Sequence, residues 1–176
     1  MGRVARRREL PCVSCETIVK SQMGAKLATA FDARPDEREI LRVLGLKPRA
    51  TEEVWQGLVE AVREGFPAAA FGRVIREAGL SQEEAMRSLR LARASIFRKL
   101  AGKQRLGPDE SQKLARLARV VLLAEHVLED AAQGREWLRT PIPALGGVRP
   151  VDMLDTDEGA RMVEEELLRI EYGFFA

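Results

Sequence analysis

Apolar residues recur along this chain at intervals of three and four, the spacing of one face of an α-helix, and they predict helices almost throughout. Ile40, Leu41 and Leu44 share a face of a short helix from about Asp36 to Leu44, which Gly45 stops. Thr51 is placed to cap a second helix, with Glu52 and Glu53 in its first turn, where the dipole favours anions, and with Val54, Leu58 and Val62 inward until Gly65. Pro67 opens a third, to Ala78, on the stripe Phe71, Val74 and Ile75. Ser81 to Glu84 read as a capping box, in which the Ser81 hydroxyl and the Glu84 carboxylate each satisfy the other's backbone N–H. The helix it starts presents Ala85, Met86 and Leu89. A short link through Leu91 to Ala94 leads to a helix from about Arg93 to Ala101, with Ile96, Phe97 and Leu100 as its apolar positions and Gly102 as its stop.

Gly107 and Pro108 open the longest helix, which reaches about Ala131; Leu114, Leu117, Val121 and Leu128 make it apolar on more than one side, the mark of a central element. A short helical piece after Gly134 bears Trp137 and Leu138. Pro141, Pro143, Gly146, Gly147 and Pro150 then forbid regular structure and predict a turn system. Asp155 or Thr156 caps a last helix with Ala160, Val163, Leu167 and Ile170 inward and Glu164 to Glu166 on its rim. No stretch alternates like a strand, so the fold class is all-α. The predicted organisation is an extension over 1–50 with a basic arm (Arg3, Arg6, Arg7, Arg8) and the short helix, a helix-turn-helix unit over 51–107, and a C-terminal domain over 108–176.

With 176 residues, 45% of them hydrophobic and 32% charged, the chain can bury a core without disulfide or metal staples. No apolar run approaches the roughly 18 residues that cross a bilayer, and no signal-peptide core is visible, so a soluble cytoplasmic protein without a membrane partner is expected. The net charge of +2 hides a gradient: the balance is +5 over 1–50, +3 over 51–105 and −6 over 106–176. Such polarity suits two unlike partners, one of them polyanionic.

The hairpin from Ser81 to Gly102 has the form of a helix-turn-helix, backed by the Phe71–Ile75 helix. From Met86 to Pro108 it holds seven basic residues and no acidic one. Arg93, Arg98, Lys99, Lys103 and Arg105 are the candidates for DNA phosphates, and Ser95 and Arg98 for base edges. The alternative is a hairpin with a solvated basic face. Ala92 stands where a capping Ser or Thr would start the recognition helix, and the turn lacks glycine.

At the other end, Tyr172, Phe174 and Phe175 are three of the chain's nine aromatics, all within the last five residues and beyond a completed apolar stripe. They either fold back on the chain's own core or enter a partner's cleft. Chemistry is otherwise sparse. Cys12 and Cys15 form a lone C-x-x-C and read as two reduced thiols; with one histidine, His126, far away and assigned a structural role, they make no four-ligand metal site. Leu145-Gly146-Gly147-Val148 is too short for a dinucleotide fingerprint, and no nucleophile is paired with a base. The reading is a non-enzyme without cofactor or metal.

Trp137 to Gly147, Arg149-Pro150, Leu154-Asp155-Thr156, Gly159-Ala160 and Arg169-Ile170-Glu171-Tyr172-Gly173, in that order and spacing, closely resemble the C-terminal toxin-binding domain of the Xre/ParS/MbcA antitoxins. With the helix-turn-helix, the similarity covers about residues 66–176. It implies an Xre-like helix-turn-helix bundle followed by a small helical toxin-binding domain, in an antitoxin of a bacterial type II toxin-antitoxin module. Its partner would be a RES-domain toxin that consumes NAD or uses it for ADP-ribosylation, held inactive by the antitoxin's last residues. Carried onto this chain, Arg169, Glu171, Tyr172 and Gly173 lie at the toxin's cleft with Phe174 and Phe175, while Leu145, Gly146, Gly147 and Arg149 shape the domain behind them. The resemblance also implies operator DNA as a second partner and a homodimer. The alternative is a free-standing transcriptional regulator with no toxin.

Overall fold

The computed structural model describes residues 35–47 and 54–173. The basic arm, the Cys12/Cys15 pair, the Thr51 cap, Phe174 and Phe175 lie outside these. Among the described residues there are eight α-helices: α1 (Glu37–Leu44), α2 (Val54–Glu64), α3 (Ala69–Glu77), α4 (Gln82–Ser88), α5 (Arg93–Ala101), α6 (Pro108–Val127), α7 (Ala131–Arg139) and α8 (Asp157–Tyr172), with 3-10 turns at Pro143–Leu145 and Pro150–Met153. The all-α class holds.

Local chemistry explains most of the boundaries. The Asp36 carboxylate accepts the Arg38 N–H at 3.2 Å to start α1, and Gly45 ends it in the left-handed region at φ 67°. Ser81 caps α4 by accepting the Glu84 N–H at 3.2 Å, but the Glu84 carboxylate pairs with Arg149 and Arg139 rather than completing the box. The third helix begins two residues later than its proline suggests. Phe66 to Ala68 run instead beside Gln104 to Leu106, joined by Leu106 N–H to Phe66 C=O at 2.7 Å and Ala68 N–H to Gln104 C=O at 3.0 Å. This pin closes the helix-turn-helix unit on itself, and the buried Ser111 hydroxyl accepts the Phe66 N–H at 2.8 Å to hold it to α6.

The central helix is shorter than its apolar pattern. It ends at Val127 because Glu129 adopts a left-handed turn (φ 55°) and Asp130 accepts the Gln133 N–H at 2.7 Å, starting α7 at once. Gly134 is therefore inside α7, not ahead of it. A Cβ there would lie 3.0 Å from the Glu125 backbone nitrogen, so the glycine lets α7 press against α6. His126 is exposed in the last turn of α6, outside the core.

One continuous core results. Leu114, Leu117, Val120, Val121 and Ala124 of α6 are buried beside Leu44, Phe71, Val74, Leu138, Leu154, Val163 and Leu167, so α6 is the axle against which α1, α2, α3, α7 and α8 pack. The prolines and glycines between α7 and α8 build an ordered pair of turns. Each 3-10 turn begins on a proline, Gly146 and Gly147 are left-handed, and the Ile142 N–H reaches the Val148 carbonyl at 3.1 Å. Both turns pack on α8.

Two charged residues inside this body were not foreseen. Arg116 is buried and bonds the Asp157 carboxylate at 2.7 Å and the Asp155 carbonyl at 3.3 Å, tying α6 to the start of α8. Glu37 is buried with neither carboxylate oxygen hydrogen-bonded among the described residues, on a cavity of about 180 Å³ that is also lined by Ile40, Leu58, Leu123, Leu168 and the Arg119–Glu164 pair. Burial pushes its pKa above the ordinary glutamate value; Arg119 opposes this and Asp36 adds to it. The folded chain thus holds a proton that the unfolded chain releases earlier. The stability this gives is complete below the ordinary glutamate pKa and is lost as pH rises through the elevated one. Thermal melts across that range should show a fall for the native chain that Glu37→Gln flattens; equal slopes for the two would contradict the assignment.

Candidate functional site

Two surfaces gather the residues singled out in the sequence. The first is the α4–α5 hairpin. Its turn is made by Arg90, which takes the left-handed conformation (φ 48°) that glycine often supplies, while buried Leu91 donates its N–H to the Met86 carbonyl at 2.8 Å. Ala92 leaves α5 without a side-chain cap. The six basic and polar candidates then divide. The Ser95 hydroxyl donates to Glu110 of α6 at 3.0 Å, and Lys99 pairs with the same carboxylate at 2.5 Å. Glu110 also accepts the Gly107 N–H at 2.7 Å. Although burial works against its ionisation, these donors hold Glu110 below the usual carboxylate range. Ser95 and Lys99 therefore brace α5 on α6.

Arg105 is turned back as well, with its Nε donating to the Gly65 carbonyl at 2.8 Å and its guanidinium 3.3 Å from Glu64. Arg93 is exposed, paired with exposed Glu83 at 3.3 Å, and lies 5.5 Å from the Phe97 ring centroid. Arg98 and Lys103 are exposed and make no ion pair among the described residues. Phe97, assigned above to the apolar side of α5, is instead 41% exposed, because Ile96 alone reaches the core from that turn.

The second surface runs from the turn system to the end of α8. Leu145 is buried and anchors the first turn, whereas Gly146 and Gly147 are exposed, with open space where a side chain would be. Arg149 forms a two-pronged pair with Asp152 at 2.7 and 2.9 Å and reaches Glu84 of α4 at 3.4 Å. Ser88 of α4 donates to Asp152 at 2.6 Å. Burial disfavours the charge on Asp152, but Arg149 and Ser88 outweigh it and lower its pKa. Arg149 is thereby a strut between the turns and the helix-turn-helix, and Arg90–Asp155 at 2.9 Å is a second one. Of their acceptors, Glu84 reads in the sequence as half of a capping box and Asp155 as a candidate helix cap, while Asp152 is not singled out there; each is an acid in a turn or first helical turn, and nothing local marks it as a brace.

At the far end, the last buried position of α8 is Leu167. Arg169 pairs with Glu166 at 3.2 Å, Glu171 is exposed, Tyr172 is half-buried, and Gly173 closes the helix in the left-handed region at φ 66°. Four of the toxin-facing candidates thus cluster in the final turn, and the other four described ones sit in or beside the turns packed on the same helix. Among the described residues no cluster of His, Cys, Asp or Glu is arranged to hold a metal, and no helix is long and apolar enough to cross a membrane.

Residues 123–173 match the antitoxin Xre/MbcA/ParS C-terminal toxin-binding domain, and residues 57–119 match the antitoxin Xre-like helix-turn-helix domain. A "Prs ADP-ribosylating antitoxin" from Sphingobium sp. (strain YBL2) is 32% identical over 127 residues, which span 67% of this chain and 80% of that protein. The chain belongs to the Xre/MbcA/ParS antitoxins. Two proteins called "Antitoxin Xre" agree with this: one from Photorhabdus laumondii is 31% identical over 64% of this chain and 76% of its own length, and one from Yersinia enterocolitica is 29% identical over 68% and 81%. The protein is therefore the antitoxin of a toxin-antitoxin system, and residues 123–173 are its toxin-binding domain. The two matched regions meet inside α6, so the antitoxin's helix-turn-helix and its toxin-binding domain share one rod and one core.

Proposed function

We propose that this antitoxin neutralises a RES-domain toxin, an enzyme that consumes NAD or transfers its ADP-ribose, by seating the end of α8 and the residues after it in the toxin's NAD cleft. The observation that carries the reading is where the core stops. Leu167 is the last buried residue of α8, yet the helix continues for five more residues to Tyr172, and the sequence adds two phenylalanines after Gly173. The name of the Sphingobium relative joins an antitoxin to Prs and to ADP-ribosylation, and the proposal takes the same chemistry for this chain's toxin. The test is the neighbouring reading frame. A RES-domain product from it should arrest growth of a bacterial host, and co-expression of the antitoxin should restore it; arrest unrelieved by the antitoxin would overturn the reading.

The same proposal assigns the α4–α5 hairpin to the operator DNA of its own operon, bound as a homodimer whose two-fold axis matches paired half-sites, with 51–107 serving DNA and 108–176 the toxin. Ser95, Lys99 and Arg105 brace the hairpin, and Arg93, Arg98 and Lys103 face the duplex. If Arg98 and Lys103 each neutralise one phosphate, Arg98→Ala with Lys103→Ala should make the log-log salt dependence of binding shallower by about 1.8 per protomer. An unchanged slope in gel-shift titrations at several salt concentrations would remove these two residues from the interface.

A further inference from the structure

The outward face of α5 has an uneven profile. Ala94, Phe97, Arg98 and Ala101 are exposed on it, while Ser95 and Lys99 turn to Glu110 and Ile96 enters the core. Phe97 therefore stands between exposed alanines one turn to either side, Ala94 and Ala101, and is flanked by exposed Arg93 and Arg98. Phe97 is left 41% exposed on the helix that also carries exposed Arg93, Arg98 and, just beyond its end, Lys103, although burying such a ring is favourable. The Arg93 guanidinium lies 5.5 Å from the ring centroid, and its pairing with Glu83 at 3.3 Å is exposed to solvent on both sides.

A lone aromatic ringed by cations fits a polyanion that presents an apolar group at the depth of a recognition helix. Duplex DNA does so in its major groove, through the thymine 5-methyl group; the corresponding groove of an RNA duplex is too narrow and its uracil has no methyl. We propose that Phe97 is a base-reading residue of this antitoxin and selects thymine by packing its ring against that methyl group, with Arg93 and Arg98 on the flanking phosphates or base edges. This rests on the assignment of the hairpin to DNA and adds to it a specificity-determining residue, in a place where Ser95 is already committed to Glu110.

The experiment uses the full chain and duplexes that it recovers from a randomised pool. Within the recovered site, deoxyuridine replaces each thymine in turn, which removes only the methyl group. One position should cost the native chain about fourfold in affinity, the worth of one buried methyl, and cost Phe97→Ala nothing. Phe97→Ala should also lose the thymine preference at that position in a fresh selection while keeping its salt-dependent binding, and Phe97→Leu should keep part of the preference. Phe97 is exposed, so an unchanged melting temperature of the variants is expected and excludes misfolding as the cause. An undiminished thymine preference in Phe97→Ala, or a change in its oligomeric state with DNA binding intact, would overturn the role of Phe97 alone. Failure of the native chain to bind any duplex would overturn the DNA assignment together with it.

Discussion

Deleting Tyr172 to Ala176 should abolish protection of cells that co-express the toxin, while the truncated antitoxin still folds. The structure separates the two outcomes. The buried positions of α8 are Gly159, Ala160, Val163 and Leu167, all upstream of the deletion, and the contacts of the turn system with α8 remain. Among the residues removed, half-buried Tyr172 is the described one with a packing contribution. Its loss should cost about 1 kcal/mol, or roughly 2–4 °C in melting temperature for a domain of this size. Loss of the whole protective effect at so small a cost in stability places the removed residues against the toxin. Full protection by the shortened chain would move the inhibitory contact elsewhere on the domain.

The second large effect is expected at Gly159, in the first turn of α8, where Gly159→Ala should destabilise the antitoxin by about 3 kcal/mol and lower its melting temperature by roughly 10 °C. A Cβ at Gly159 would lie 2.0 Å from the Met153 carbonyl oxygen and 3.0 Å from the Thr156 hydroxyl that caps the helix by accepting the Gly159 N–H. Neither neighbour is the end of a flexible side chain, so relief requires the helix or the turn to shift. The same shift strains the Arg116–Asp157 pair, which crosses to α6 at 2.7 Å. Toxin binding should weaken in parallel with stability, and cooling should restore part of it. A Gly159→Ala chain that melts like the native one would mean that the turn and α8 are not held as close as the structure has them.

The helices were legible where capping chemistry and apolar stripes agree, as at Asp36 to Gly45, Ser81 to Leu89 and Thr156 to Leu167. Reading failed where one residue type serves two ends. Gly134 looks like a stop because glycine usually follows a helix, but it sits inside α7 to permit close packing on α6, which depends on a partner that the local sequence does not reveal. The extended pin of Phe66 to Ala68 with Gln104 to Leu106 was invisible for a similar reason: its hydrogen bonds join residues some forty positions apart, and neither segment is long enough to alternate. The basic hairpin was legible as a cluster of charge. Which of its members face outward was not, since Lys99, Ser95 and Arg105 are withdrawn by Glu110, Glu64 and backbone carbonyls contributed from other elements. In the toxin-binding domain the sequence marked Arg149 only through its motif; its two-pronged pair with Asp152 also reaches Glu84 of a separate element, a contact that could not be read locally.

The most direct measurement follows NAD loss catalysed by the purified toxin as the antitoxin is titrated at several NAD concentrations. Occlusion of the cleft by the end of α8 predicts inhibition whose midpoint rises with NAD, because substrate and antitoxin exclude one another. A midpoint that stays fixed as NAD is varied would show that both are accommodated at once and would contradict the account.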